Sequence, residues 1–101
     1  MTNQTPVKSL SPFEKVRRSL ERLVNPIYLL KLYNDDDVAA DLVVTALSNT
    51  FSIDRSYAWS LMMQAHRKGQ CVVFEGQKPD CDTYSERLRQ YGLTVDVVPQ
   101  V

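Results

Sequence analysis

Glycine is scarce in this chain, with three residues scattered among 101. That excludes a glycine-rich phosphate loop, and no Ser or Cys has the flanking glycines of a nucleophile elbow. Histidine occurs once, at His66, which is too few for a His-based zinc site. Cys71 and Cys81 are too far apart in sequence to make a zinc knuckle. The run Asp35-Asp36-Asp37 lacks the alternation and glycine of a calcium loop. The residues therefore predict no enzyme, no metal and no cofactor. Long apolar runs are missing too: those around 27–32 and 42–47 are far too short to span a bilayer. The opening Met-Thr-Asn-Gln-Thr-Pro-Val-Lys has no apolar signal core, so the two cysteines are expected as reduced cytoplasmic thiols and not as a disulfide.

Net charge is also absent overall, formally zero, but its distribution is uneven. Residues 1–24 carry five basic and two acidic side chains, which leaves seven basic and ten acidic in the remainder. An acidic body with a basic arm is a poor nucleic-acid binder through its folded face. Neither nucleic acid nor membrane is expected as a partner. At 44% hydrophobic and 24% charged, the composition is that of one small globular domain.

What is present reads as alternating strands and helices. Met1 to Ser9 is polar and aperiodic, and is expected to be disordered. Ser11-Pro12-Phe13-Glu14 is a helix start with an N-cap and a proline at the first position. Phe13, Val16, Leu20, Leu23 and Val24 follow at helical spacing until Asn25-Pro26 ends the segment. Residues 1–25 are thus an extension, flexible or a short helix, and residues 26–101 are the domain. Ile27 to Tyr33 is a strand. Asn34 to Asp37 breaks it, with Asp37 best placed to cap a helix running to about Thr50. Asp54 caps a second helix, on which Ala58, Leu61, Met62 and Ala65 share a face and which Gly69 stops. Cys71 to Phe74 is a second strand and Gly76 to Pro79 a turn. A third helix is capped by Asp80 or Asp82, with Cys81, Tyr84, Leu88 and Tyr91 inward. Leu93 to Val98 is the last strand. The order β-α-α-β-α-β predicts an α+β fold, a three-stranded antiparallel-type sheet packed against three helices.

The stretch from Pro26 to His66 organises the rest. An apolar strand delivers four acceptor-rich side chains to the mouth of a helix, and the lone histidine closes the next helix one turn beyond Met62. Acidic and amide oxygens, a neutral imidazole and a small apolar wall suit a cation attached to an apolar group. A peptide N-terminus is such an object. Taken singly, each signal also has a plain structural reading: acidic clusters are commonly turns and caps, and Met62-Met63 is ordinary core packing.

Tyr33-Asn34-Asp35-Asp36, the helix after it, and Met62-Met63-Gln64-Ala65-His66-Arg67-Lys68-Gly69 together resemble the ClpS family. These are the adaptors that present N-degron proteins to Clp proteases in bacteria and plastids. The resemblance covers residues 26 to 75 well and the rest loosely, and the Tyr91-Gly92-Leu93-Thr94 turn is closer to the cyanobacterial branch. It implies that Asn34, Asp35 and His66 bind the α-amino group of a substrate's first residue. It implies a hydrophobic pocket of Val38, Ala40, Val43, Met62 and Ala65, closed by Val95, with Asp36 and Asp37 shaping the turn and cap. It implies no enzyme activity, a monomer in the bacterial cytoplasm (or the plastid stroma after loss of a transit peptide), and the N-terminal domain of a ClpC- or ClpA-type AAA+ unfoldase as partner. Substrates would begin with Leu, Phe, Tyr or Trp. The sequence departs from the family at Val38-Ala39-Ala40, where Thr-Pro-Met is usual, and at Ala65, usually Val. Both changes remove wall volume, so the pocket is expected to be wider and to admit β-branched first residues. Two alternatives stay open: a docking module like the C-terminal domain of the ribosomal stalk protein, without N-degron recognition, and a small-ligand or metal site at Asp35 to Asp37.

Overall fold

A computed structural model describes residues 11–101; the disorder expected of Met1 to Ser9 lies outside the described residues. Helix α1, Pro12–Val24, starts where Ser11 accepts the Glu14 N–H at 3.2 Å and stops at Asn25. Its apolar residues Phe13, Val16, Leu20, Leu23 and Val24 all remain exposed. Arg17 is held between Glu14 at 2.6 Å and Glu21 at 3.0 Å along its surface.

Strand β1, Ile27–Tyr33, is the centre of the sheet, and helices α2 (Ala40–Phe51) and α3 (Arg55–Lys68) follow it. Strand β2, Gln70–Gln77, leads directly into helix α4, Lys78–Gln90, and strand β3, Val95–Pro99, closes the chain. The sheet order is β2-β1-β3, antiparallel at both junctions. Leu30 and Leu32 point from β1 into the helix layer, where both are buried with Val44, Ala46 and Leu47 of α2, Ala58, Leu61 and Ala65 of α3, and Leu88 of α4. Phe51, Phe74 and Tyr84 form an aromatic cluster at one side, with ring centroids 4.7 to 6.1 Å apart.

Three local expectations are corrected. The first helix of the domain is not capped by Asp37: its N-cap position is Ala39, with no side-chain bond. The acidic residues are used one turn earlier, where Asp35 Oδ1 accepts the Asp37 N–H at 3.0 Å and Asp35 O accepts the Val38 N–H at 3.1 Å. An Asx turn of this kind competes with capping for the same oxygens. Helix α4 begins at Lys78 after Gln77, with Pro79 in its first turn, so neither Asp80 nor Asp82 caps it. The second strand runs to Gln77, past the turn expected from Gly76, because Glu75, Gly76 and Gln77 pair with Leu29, Tyr28 and Ile27, and a bulge interrupts its alternation. Leu30 pairs with Phe74 but Lys31 pairs with Val72, which leaves Val73 as the extra residue. That insertion turns both Cys71 and Phe74 to the helix side, although they are three residues apart.

The cap expected at Asp54 is present: its carboxylate accepts the Tyr57 N–H at 2.9 Å and the Ser56 hydroxyl at 2.9 Å, which holds its pKa below the usual carboxylate value. Both cysteines are free and buried, and burial pushes each thiol up. They are thiols at neutral pH and weak nucleophiles. Among the described residues, no helix is long and apolar enough to cross a membrane.

Candidate functional site

The turn after β1 is anchored from two directions. The Asn34 N–H donates to Gly69 O at 3.0 Å, and the Tyr33 N–H donates to Thr94 O at 2.9 Å. Gly69 can accept this bond because it ends α3 in the left-handed region, at φ 87°, where a residue with a Cβ is strained. The end of the histidine-bearing helix is therefore tied directly to the acidic turn.

Between them lies a cavity of about 140 Å³. Leu32, Tyr33, Asn34, Asp35 and Asp36 line it from β1 and the turn, Val38, Ala40 and Val43 from the α2 side, and Met62, Ala65 and His66 from α3. Met62 and His66 are four residues apart on one helix, so they share a face. The volume is below the roughly 300–1,000 Å³ of sites that enclose drug-sized ligands; it suits one side chain. Wider hollows exist, such as that of about 390 Å³ beside α1, lined by Arg18, Glu21, Asn25, Ile27 and Gln77. That one has no apolar floor comparable to Val43, Met62 and Ala65, and its charged groups are of both signs.

The lip of the small cavity is rich in acceptors. Asn34 Nδ2 donates to Asp36 Oδ1 at 3.2 Å, which turns the amide oxygen away from that carboxylate and leaves it available. Asp35 is fixed at both oxygens, Oδ1 by the Asp37 amide and Oδ2 by the Thr94 hydroxyl at 2.9 Å. His66 is exposed in the last turn of α3 beside Arg67 and Lys68. No group of three or more His, Cys, Asp or Glu among the described residues is arranged to hold a metal ion. Across the outside of the two helices, Arg55 of α3 binds Asp41 at 2.9 Å and Thr45 at 3.1 Å on α2.

Of the residues singled out from the sequence, Asn34, Asp35, His66, Val38, Ala40, Val43, Met62 and Ala65 all border this one cavity. Val95 does not. It pairs with Leu32 on the neighbouring strand and is buried in the core, because the Leu93, Val95, Val97 side of that segment faces the helix layer. Asp36 borders the cavity and holds the Asn34 amide instead of capping a helix. Leu32, Tyr33 and Thr94 were not foreseen. The first two precede the turn and could have been inferred from its position; Thr94 carries no local signal.

Residues 24–96 match the family described as ATP-dependent Clp protease adaptor protein ClpS. The chain is 32% identical over 84 residues to the ClpS adapter of Gloeobacter violaceus, which covers 82% of this chain and 90% of that protein. It is 33% identical over 87 residues to the ClpS 2 adapter of Mesorhizobium japonicum, covering 86% and 84%. The fold matches that of Agrobacterium tumefaciens ClpS2 bound to L-phenylalaninamide with a TM-score of 0.73 at 24% identity, over 75% of this chain and 99% of the other. With the strands β1 and β2, the acidic turn and the histidine-ended helix all falling inside the matched span, the chain belongs to the ClpS family of Clp protease adaptor proteins.

Proposed function

We propose that this adaptor captures proteins by a free N-terminal residue with a bulky apolar side chain and brings them to a Clp ATPase of the ClpC or ClpA type. In this reading residues 26–101 are the adaptor domain, residues 1–25 its extension, and the site of action the cytoplasm. The observation that carries the reading is the junction of acceptor atoms and a one-side-chain cavity. A peptide α-amine has a reference pKa of about 7.7–8.0, so near neutral pH it is mostly an ammonium with three donors and no acceptor. Asn34 supplies an amide oxygen, Asp35 a carboxylate and His66 an imidazole nitrogen. Charge-assisted hydrogen bonds of this type are the stronger ones. The attached side chain enters between α2 and α3, against Val38, Ala40, Val43, Met62 and Ala65. The bound L-phenylalaninamide in the Agrobacterium protein has the same two parts, a free amine and an apolar ring, which supports the reading.

The test is a fluorescence-anisotropy titration with a Phe-initiated peptide, free or N-acetylated. The free peptide is expected to bind and the acetylated one to lose binding, since acetylation removes the charge and two donors. Equal binding of both would assign the chain to docking without N-degron recognition.

The cavity wall sets which first residues enter. Ala40 is exposed at the mouth, and nothing larger than a methyl projects there. Ala40→Met is expected to exclude Ile-initiated peptides relative to Leu-initiated ones by about tenfold or more, since one methylene of fit is worth ~1–3 kcal/mol. An unchanged Ile-to-Leu ratio in the variant would show that position 40 does not gate the pocket.

A further inference from the structure

Thr94 precedes β3 and is fixed before its side chain makes any contact with the turn. Gly92 takes φ 93° and donates to Arg89 O at 2.8 Å, and Leu93 N donates to Leu88 O at 3.2 Å. Leu93 is buried. Beyond it, Arg89 Nη2 donates to Val95 O at 3.1 Å, and Thr94 O accepts the Tyr33 N–H. With the backbone locked on both sides, the Thr94 hydroxyl donates to Asp35 Oδ2 at 2.9 Å across 59 residues of sequence.

We propose that Thr94 is a positioning residue for N-terminal capture, holding the Asp35 carboxylate in its receiving orientation before the substrate arrives. The inference rests on the capture reading given above. An ionised carboxylate has about four lone-pair sites. One is filled by the Asp37 amide and one by Thr94, which fixes both dihedral angles of Asp35 and leaves the others for the incoming ammonium. Without the hydroxyl, the carboxylate can swing outward, and its ordering is charged to each binding event.

The experiment compares the native chain, Thr94→Val and Thr94→Ser, each alone and combined with Asp35→Ala, by anisotropy titration of the Phe-initiated peptide and by thermal melting. The titration range is extended to cover the weaker binding of the Asp35 variants. Thr94→Val keeps the shape and removes the donor, and is expected to weaken binding about three- to tenfold with the melting temperature lowered by no more than about 4 °C, the share of one surface bond. Thr94→Ser is expected to recover native affinity. In the Asp35→Ala background, Thr94→Val is expected to change nothing further, since the group it orients is gone. Native-like binding by Thr94→Val overturns the proposal, as does an equal loss with and without Asp35. A loss that follows a fall in melting temperature well beyond about 4 °C and is not recovered by Ser assigns Thr94 to the fold alone. If the native chain itself shows no preference for the free over the acetylated peptide, the capture reading fails and the role of Thr94 falls with it.

Discussion

Replacing Asp35 by alanine is expected to weaken binding of a Phe-initiated peptide by roughly 30- to 100-fold. Truncating one partner of a hydrogen-bonded charge pair costs about 2–5 kcal/mol when the pair is buried. Asp35 is half-buried at the lip of its cavity, so water recovers part of the loss and the low end of that range, about 2–2.7 kcal/mol, applies. The same substitution removes the acceptor for the Asp37 amide and for the Thr94 hydroxyl. Both are surface bonds, and their loss is expected to lower stability by only about 1 kcal/mol. The two readouts therefore separate: a large effect on the peptide and a small one on the melting temperature. Binding within twofold of the native chain would remove Asp35 from the ammonium site, whatever the other variants do. Asp35→Asn refines the result, since its amide oxygen can keep the turn while the charge is lost. It should retain native stability and still bind weakly.

The parts of the fold that could be read from the sequence are those where one residue does one local job. Ser11, Asp54 and Gly69 each start or end a helix with no rival role for the side chain or backbone, and each does so in the structure. The expectations that failed share a different feature. At Asp35 to Asp37 several acceptors compete for a few amide protons, and the turn takes them before the helix begins. Before α4, Pro79 suits the end of a turn and equally a first helical turn, and only the run of β2 through Gln77 decides between them. The bulge at Val73 breaks the period of two that marks a strand, so half of β2 was invisible to alternation.

The cavity wall divides in the same way. Helical spacing places Val43, Met62 and Ala65 on inward faces, but that they border a cavity is what the family resemblance implies and not what the spacing shows. Val95 takes the same face as Leu32, which borders the cavity, so whether it reaches the cavity depends on how far along β1 the last strand pairs and not on which face it presents. Thr94 reaches the turn from the far end of the chain, so its bond to Asp35 depends on where α4 stops and β3 starts. Neither quantity is encoded near those residues.

The core beneath the site offers the other large effect. Leu47 of α2 has no exposed surface and lies one helical turn beyond Val43, which borders the cavity. Leu47→Ala is expected to cost about 3 kcal/mol, since Leu-to-Ala changes in well-packed cores cost ~2.7–5.0 kcal/mol with the residual cavity setting the value. For a domain of this size each kcal/mol is worth about 4–8 °C in melting temperature, so a fall on the order of 15 °C is expected. In urea the midpoint should drop while the slope stays constant, because the surface exposed on unfolding is nearly unchanged. A cost under about 1 kcal/mol would mean that α2 can settle into the space left behind. Settling would draw Val43 inward and enlarge the cavity, so a mild stability effect should come with altered first-residue preference. A full cavity cost, by contrast, leaves α2 in place and the site unchanged wherever the variant is folded. Measuring melting temperature and peptide affinity on the same variant thus distinguishes a rigid helix from a yielding one, and shows how far the shape of the pocket is set by the packing below it.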